Sequence, residues 1–188
     1  AAFLYLLMAH IGGLAILLGF GVLAGFGDGF TFATMRATEL TSVWASIAFA
    51  FAFFGFGMKA GMVPVHAWLP EAHPVAPSHI SALMSGVMLK VALYGLIRFT
   101  YDLLGNIQWQ WGLAVLLIGA ASALLGVLYA MLQNNLKRLL AYSSIENVGI
   151  ILVALGLSLI FFGTGQQRLG VLGLIAALYH ILSHALFK

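Results

Sequence analysis

Residues Gly57-Met-Lys59-Ala-Gly-Met-Val-Pro64-Val-His66-Ala-Trp68-Leu-Pro70-Glu71-Ala-His73-Pro74-Val-Ala-Pro77 break an otherwise greasy chain. All four prolines of the protein lie between positions 64 and 77. Proline removes a backbone donor and disfavours helix at the residue before it. A half-helix or re-entrant segment is therefore predicted here. It is flanked by a Phe-rich apolar run over 42–63 (Phe49, Phe51, Phe53, Phe54, Phe56) and by a second apolar run over 79–99. Within a bilayer such non-helical backbone survives only when packed in protein or facing a water cavity.

The composition around this stretch agrees. Hydrophobic residues make up 63% of the 188 and charged residues 7%, against roughly 25% charged in a soluble domain. That surface cannot face water, and the same values exclude intrinsic disorder. The chain has no cysteine, which excludes a disulfide scaffold, a thiol nucleophile and a Cys-ligated iron–sulfur cluster. A net charge of +3 is too sparse for a nucleic-acid footprint. At roughly 20 apolar residues per crossing, the length allows about six spans. They read as 3–26, 42–63, 79–99, 109–132, 139–162 and from 169 onward. The polar links between them hold Asp28, Arg36 and Glu39, then Asp102, Gln133 to Arg138, and Gly163 to Arg168. The expectation is an all-α, polytopic transmembrane bundle, a single domain over 1–188, with one helix discontinuous at Pro64. Apolar sequence at both ends reads as an internal piece of a larger membrane protein. Lys137 and Arg138 fall on one side and Arg36, Arg98 and Arg168 on the other, which sets no orientation. Trp44, Trp68, Trp109 and Trp111 suit an interfacial belt.

Ions in the apolar spans carry the functional reading. A lysine at the bilayer centre costs about 2.5–3.5 kcal/mol on insertion scales. Lys59, Lys90 and Lys188 all stand in apolar surroundings. Snorkelling is the competing explanation, and it is weakest for Lys90, roughly 16 Å of helix rise from His79. His180, His184 and Lys188 are spaced i, i+4, i+8 and share one helix face. A His-His-Lys column can pass protons through water; a chelated metal or plain helix-to-helix hydrogen bonding are the other readings. Glu146 is either a relay carboxylate or the partner of a cation on another helix. Glu71, His66 and His73 either line a water path or sit at the headgroups. His10 and His79 read as packing or interfacial groups. Removing an ammonium from water disfavours its charged form, and a nearby carboxylate or hydrated cavity restores it. Buried lysines can thus bind and release protons as their surroundings change.

Three motifs now stand together: the 57–77 stretch, Lys137-Arg138-Leu-Leu-Ala-Tyr142-Ser143-Ser144-Ile-Glu146-Asn147-Val-Gly149, and His180-Ile-Leu-Ser-His184-Ala-Leu-Phe-Lys188. In this order they resemble the proton-conducting membrane subunits shared by respiratory complex I, Mrp-type antiporters and group 4 membrane-bound hydrogenases. Ser-Ile-Glu-Asn after Ala-Tyr-Ser, and Pro77-Ser-His79-Ile-Ser-Ala-Leu-Met84-Ser85, look like the hydrogenase-4 component B and formate hydrogenlyase subunit 3 branch. The resemblance implies a 14-helix core, two inverted five-helix repeats and two discontinuous helices, of which this chain covers about the sixth to the eleventh helix. By position, Lys59 is implied to be the central lysine of the first broken helix and Lys90 the bridging lysine of the next, with Ser85 where some members have a His. His180, His184 and Lys188 match the relay between half-channels. Asn135 stands where many relatives have Asp.

The implied function is proton translocation, driven by redox chemistry elsewhere, in a bacterial or archaeal inner membrane. The implied partners are other membrane-arm subunits and a peripheral redox module, which would hold any iron–sulfur, nickel–iron or flavin centre. This chain would be non-catalytic and hold no cofactor or metal. A complex I or Mrp-type subunit exchanging Na+ for H+, and a non-pumping anchor for a soluble hydrogenase, are the alternatives. An anchor gains nothing from intramembrane lysines.

Overall fold

A computed structural model describes residues 2–27 and 29–188; Ala1 and Asp28 of the first polar link lie outside the described residues. The described residues are helical and contain no strand. The helices are α1 (Ala2–Phe26), α2 (Phe32–Ala37), α3 (Ser42–Ala60), α4 (Trp68–Val75), α5 (Ser78–Leu83), α6 (Leu89–Ile97), α7 (Trp109–Met131), α8 (Leu136–Gly163) and α9 (Gln167–Phe187). Helices α5 and α6 form one continuous rod with two π-helical segments, Met84–Met88 and Arg98–Leu103. Among the described residues six helices, counting that rod once, are long and apolar enough to cross a bilayer.

The discontinuity begins earlier than Pro64. Helix α3 stops at Ala60 because Gly61 adopts the left-handed conformation (φ 79°). Its N–H and that of Met62 then turn back to the carbonyls of Met58 and Gly57 at 3.3 and 3.0 Å. This is a Schellman closure, which glycine makes at no steric cost. Pro70 and Pro74 lie inside α4 rather than ending it. Pro70 occupies the first turn, where a missing N–H removes nothing. The broken backbone is packed in protein, as lipid demands: the Val63 N–H donates to Ser122 Oγ on α7 at 3.0 Å.

Close backbone contact holds the bundle. Gly112, Gly119 and Gly126 on α7, and Gly149, Gly156 and Gly163 on α8, repeat every seven residues and mesh in an antiparallel pair. A Cβ on Gly156 would lie 2.6 Å from the Leu116 nitrogen, and one on Gly112 2.6 Å from the Gly156 carbonyl. Without a hydrophobic drive between helices in lipid, such small residues let backbones approach and gain dispersion. Gly12 and Gly55 do the same for α1 and α3. Helix α9 packs on the other side of α8 and touches the first π-helical segment, and α4 lies across α8.

Two tryptophans leave the expected belt. Trp68 and Trp111 are buried. Trp68 donates to the Met58 carbonyl at 2.9 Å, capping the broken end of α3. Trp111 stacks on Phe49 with ring centres 4.7 Å apart and donates to Ser46 Oγ at 3.0 Å. An indole whose N–H finds a protein partner gains more from the core than from the headgroups. Trp44 and Trp109 are exposed.

Candidate functional site

Lys90 stands about 18 Å of helix rise from Ser78, buried, with 8% of its surface exposed. It does not snorkel: its Nζ donates to the Ser85 carbonyl. The π-helical segment makes this possible. In an α-helix the Ser85 carbonyl would accept from the Leu89 N–H. Here that N–H bonds the Met84 carbonyl instead, so the Ser85 carbonyl is open to the ammonium. A π-bulge at a functional position is a recurrent device.

From Lys90 a polar thread runs across three helices. Ser85 Oγ lies 2.9 Å from Ser144 Oγ of α8. Ser144 donates to the Leu140 carbonyl at 3.0 Å. The same carbonyl accepts from Lys188 Nζ at 2.9 Å, which also donates to Ser143 Oγ at 3.0 Å. Asn147 donates to the Ser143 carbonyl at 2.7 Å, and its Oδ1 lies 3.0 Å from His180 Nε2. Thus His180 and Lys188 both face α8, as their spacing requires. His184, between them, is fully buried. Both its ring nitrogens lack a partner among the described residues. Lys90, Lys188 and His180 are the charged or titratable groups that bear on it. Buried polar atoms are ordinarily bonded to protein or ordered water.

Lys59 differs. It is half-buried and makes no hydrogen bond or ion pair among the described residues. It borders a cavity of about 380 Å³ between α1, α3, α4 and α6, whose other walls include Tyr5, Met8, Phe56, Trp68 and Met88. Val91, next to Lys90, lines the same cavity. The structure therefore places Lys59 at the cavity wall and Lys90 in the thread.

The remaining candidates separate. Glu146 is half-buried with no ion pair among the described residues; its backbone packs against Gly126. Glu71 pairs with Arg138 at the start of α8. Asn135, not a carboxylate, caps that helix, its Oδ1 accepting from the Lys137 and Arg138 N–H groups at 3.0 and 3.3 Å. Lys137 Nζ donates to the Ala76 carbonyl at 2.7 Å. His73 is buried, 2.5 Å from Ser81 Oγ through Nδ1. His66 Nδ1 is buried without a hydrogen bond among the described residues. His79 is exposed, and His10 is exposed with Nδ1 2.7 Å from the Leu6 carbonyl. At the opposite end Asp102 bridges Arg36 and Arg98 at 2.6 and 3.0 Å. That carboxylate holds the Arg36 guanidinium above its ordinary pKa, through the hydrogen bond first and charge second.

Ser85, Ser143, Ser144 and Asn147 were not singled out from sequence as relay residues. Their signal was present: Ser143 and Asn147 are four apart on α8 and so share a face. Small hydroxyls are common in membrane helices, however, and only the packed neighbours show which ones bond across.

A bundle of apolar helices with one broken member and buried amines, hydroxyls and imidazoles between them defines a polytopic membrane protein of the antiporter-like class. The whole chain, residues 1–188, matches the family described as NADH:quinone oxidoreductase/Mrp antiporter, TM, and belongs to it. It is 49% identical over 190 residues to hydrogenase-4 component B of Escherichia coli, covering 100% of this chain and 28% of that protein. It is 45% identical over 135 residues to formate hydrogenlyase subunit 3 of Escherichia coli, covering 71% of this chain and 22% of that one. Among solved structures, the membrane-bound sulfane sulfur reductase, an archaeal respiratory membrane complex, superposes with a TM-score of 0.80 at 30% identity, over 98% of this chain and 31% of that chain. The chain thus spans less than a third of these relatives.

Proposed function

We propose that this chain is the proton-conducting segment of a membrane-arm subunit in a redox complex of the group 4 hydrogenase or formate hydrogenlyase kind. The observation that carries this reading is the buried polar network that links Lys90 to Ser85, Ser85 to Ser144, Ser144 and Lys188 to one shared carbonyl at Leu140, and Lys188 to Ser143, beside which Asn147 bonds His180. Kinship with hydrogenase-4 component B supports the choice of branch.

In this mechanism Lys90 and Lys188 exchange protons by way of His184 and internal water, and His180 takes the proton onward. Hydroxyl groups both donate and accept, so the serines can turn with the moving charge. A proton on one amine raises the cost of a proton on the next, since like charges in a poorly screened interior repel. That repulsion gives hopping a direction once an outside event loads one end. Lys59 loads or drains Lys90 by way of the cavity that Lys59 and Val91 line, and Glu146 offsets the charge on Lys188. Other membrane-arm subunits and a peripheral redox module supply the driving event. Iron–sulfur, nickel–iron or flavin centres belong to those partners, and the setting is a bacterial or archaeal inner membrane.

The test is proton uptake by proteoliposomes holding the full-length subunit in its complex, driven by substrate turnover. Lys90→Ala should abolish uptake while the complex still inserts and turns over. Unchanged uptake would end the relay. Turnover without any uptake in the unmodified complex would mark a non-pumping anchor, and uptake requiring Na+ would mark an Mrp-type exchanger.

A further inference from the structure

From the geometry of the α4 end we infer that His73 is a proton-relay residue joining the membrane surface beside α4 to the Lys188–His184 cluster. This rests on the relay proposed above and gives it a mouth.

His73 lies on α4, yet only 2% of it is exposed. Its Nδ1 sits 2.5 Å from Ser81 Oγ on α5, while Nε2 is buried with no protein partner among the described residues. The two cations that bear on the ring are Lys188 and Lys137. Lys137 is already committed to the Ala76 carbonyl, whereas Lys188 belongs to the thread. Exposure falls stepwise inward: Ser78 and His79 are exposed, Ser81 half-buried and His73 buried. Ser81 is one turn in from Ser78, so the hydroxyl stands between the outside and the ring. Two contacts hold α4 in place: the Glu71–Arg138 ion pair on its outer edge and the Lys137–Ala76 hydrogen bond at its end.

An imidazole with one nitrogen on a hydroxyl and the other open can pass a proton without staying charged. A proton reaches Nδ1 by way of the Ser81 hydroxyl, and the Nε2 proton leaves through a water to Lys188. One proton enters and one departs. The ring ends neutral in the opposite tautomer and resets when internal water carries the proton from Nδ1 back to Nε2. A water bonded to Nε2 would satisfy that nitrogen, as buried polar atoms require.

The experiment uses the full-length subunit in its complex in proteoliposomes, with redox turnover and proton uptake recorded together. His73→Gln keeps a polar group near Ser81 but cannot relay, and His73→Ala opens a space for free imidazole. Both should lose about tenfold or more of the uptake rate, within the range of general acid–base effects. Added imidazole should restore His73→Ala from the α4 side only. Ser81→Ala, which leaves the ring in place, should slow uptake by a smaller factor and decides the matter should the His73 variants fail to assemble. Wild-type uptake in His73→Gln or Ser81→Ala, or rescue equally from both sides, overturns this inference. Lys90→Ala run alongside separates the two ideas: if it too retains uptake, the relay itself is wrong; if it alone is dead, only the mouth is misplaced.

Discussion

Lys59 and Lys90 look alike in the sequence, each an amine in an apolar helix. The fold treats them differently. Lys90 is buried, bonded to the Ser85 carbonyl and joined through serines to α8 and α9. Lys59 stands at the rim of an apolar cavity with no bonded partner among the described residues. The difference teaches that an amine in an apolar helix is joined to others only where the fold gives it a bonded neighbour. A π-helical register shift and a facing hydroxyl give Lys90 its place, while Lys59 has reach but no wire.

Five substitutions test this contrast. The largest effect is expected on transport: Lys90→Ala and Lys59→Ala both abolish turnover-driven proton uptake, yet their stabilities diverge. Lys90→Ala strips a buried hydrogen bond to a charged donor and should destabilise by about 1.5–3 kcal/mol. Lys59→Ala removes an unpaired half-buried amine and should leave the denaturation midpoint unchanged or raised. Equal losses of stability in the two would erase the distinction. Gly156→Val comes next. It forces side-chain atoms against Leu116 and should cost about 3 kcal/mol, the upper part of the overpacking range, with the thread on α8 displaced and the Lys59 cavity intact. Reversible unfolding in mixed detergent micelles would measure it.

Smaller is Ser144→Ala, which cuts the link between Ser85 and α8. The expected cost is about 1 kcal/mol with a several-fold slower uptake. A full-rate Ser144→Ala would show that water bypasses the hydroxyl. Smallest is Asp102→Asn at the far end. Its partners Arg36 and Arg98 are well exposed, and exposed ion pairs contribute little. Uptake and thermal midpoint should both stay at the unmodified values.

Much of this was legible beforehand. The six spans follow from hydropathy, and the helix face shared by His180, His184 and Lys188 from periodicity. The break after Lys59 was anticipated near Pro64, which lies within it, and it opens three residues earlier, at Gly61. Proline is the louder signal, while a left-handed glycine is identifiable only once the next N–H groups turn back. The seven-residue glycine repeats on α7 and α8 were present in the string yet carried no partner until the helices met. Trp68 and Trp111 were misplaced to the interface because composition cannot show that an indole N–H has a carbonyl or hydroxyl inside. Glu146 drew attention as a charge, whereas its neutral neighbours Ser143, Ser144 and Asn147 make the bonds.

The amino-acid string by itself determined that this protein crosses a membrane, where it is broken to within a few residues, and which amines and imidazoles sit at depth. These are one-dimensional properties: transfer free energy summed along a helix, and angular spacing about its axis. Which of those groups touch was decided only by the tertiary structure. Hydrogen bonds between helices depend on axial register and rotation. Those are set by glycines meeting across α7 and α8 and by a single π-helical step beside Lys90, and neither has a signature until both surfaces are in contact.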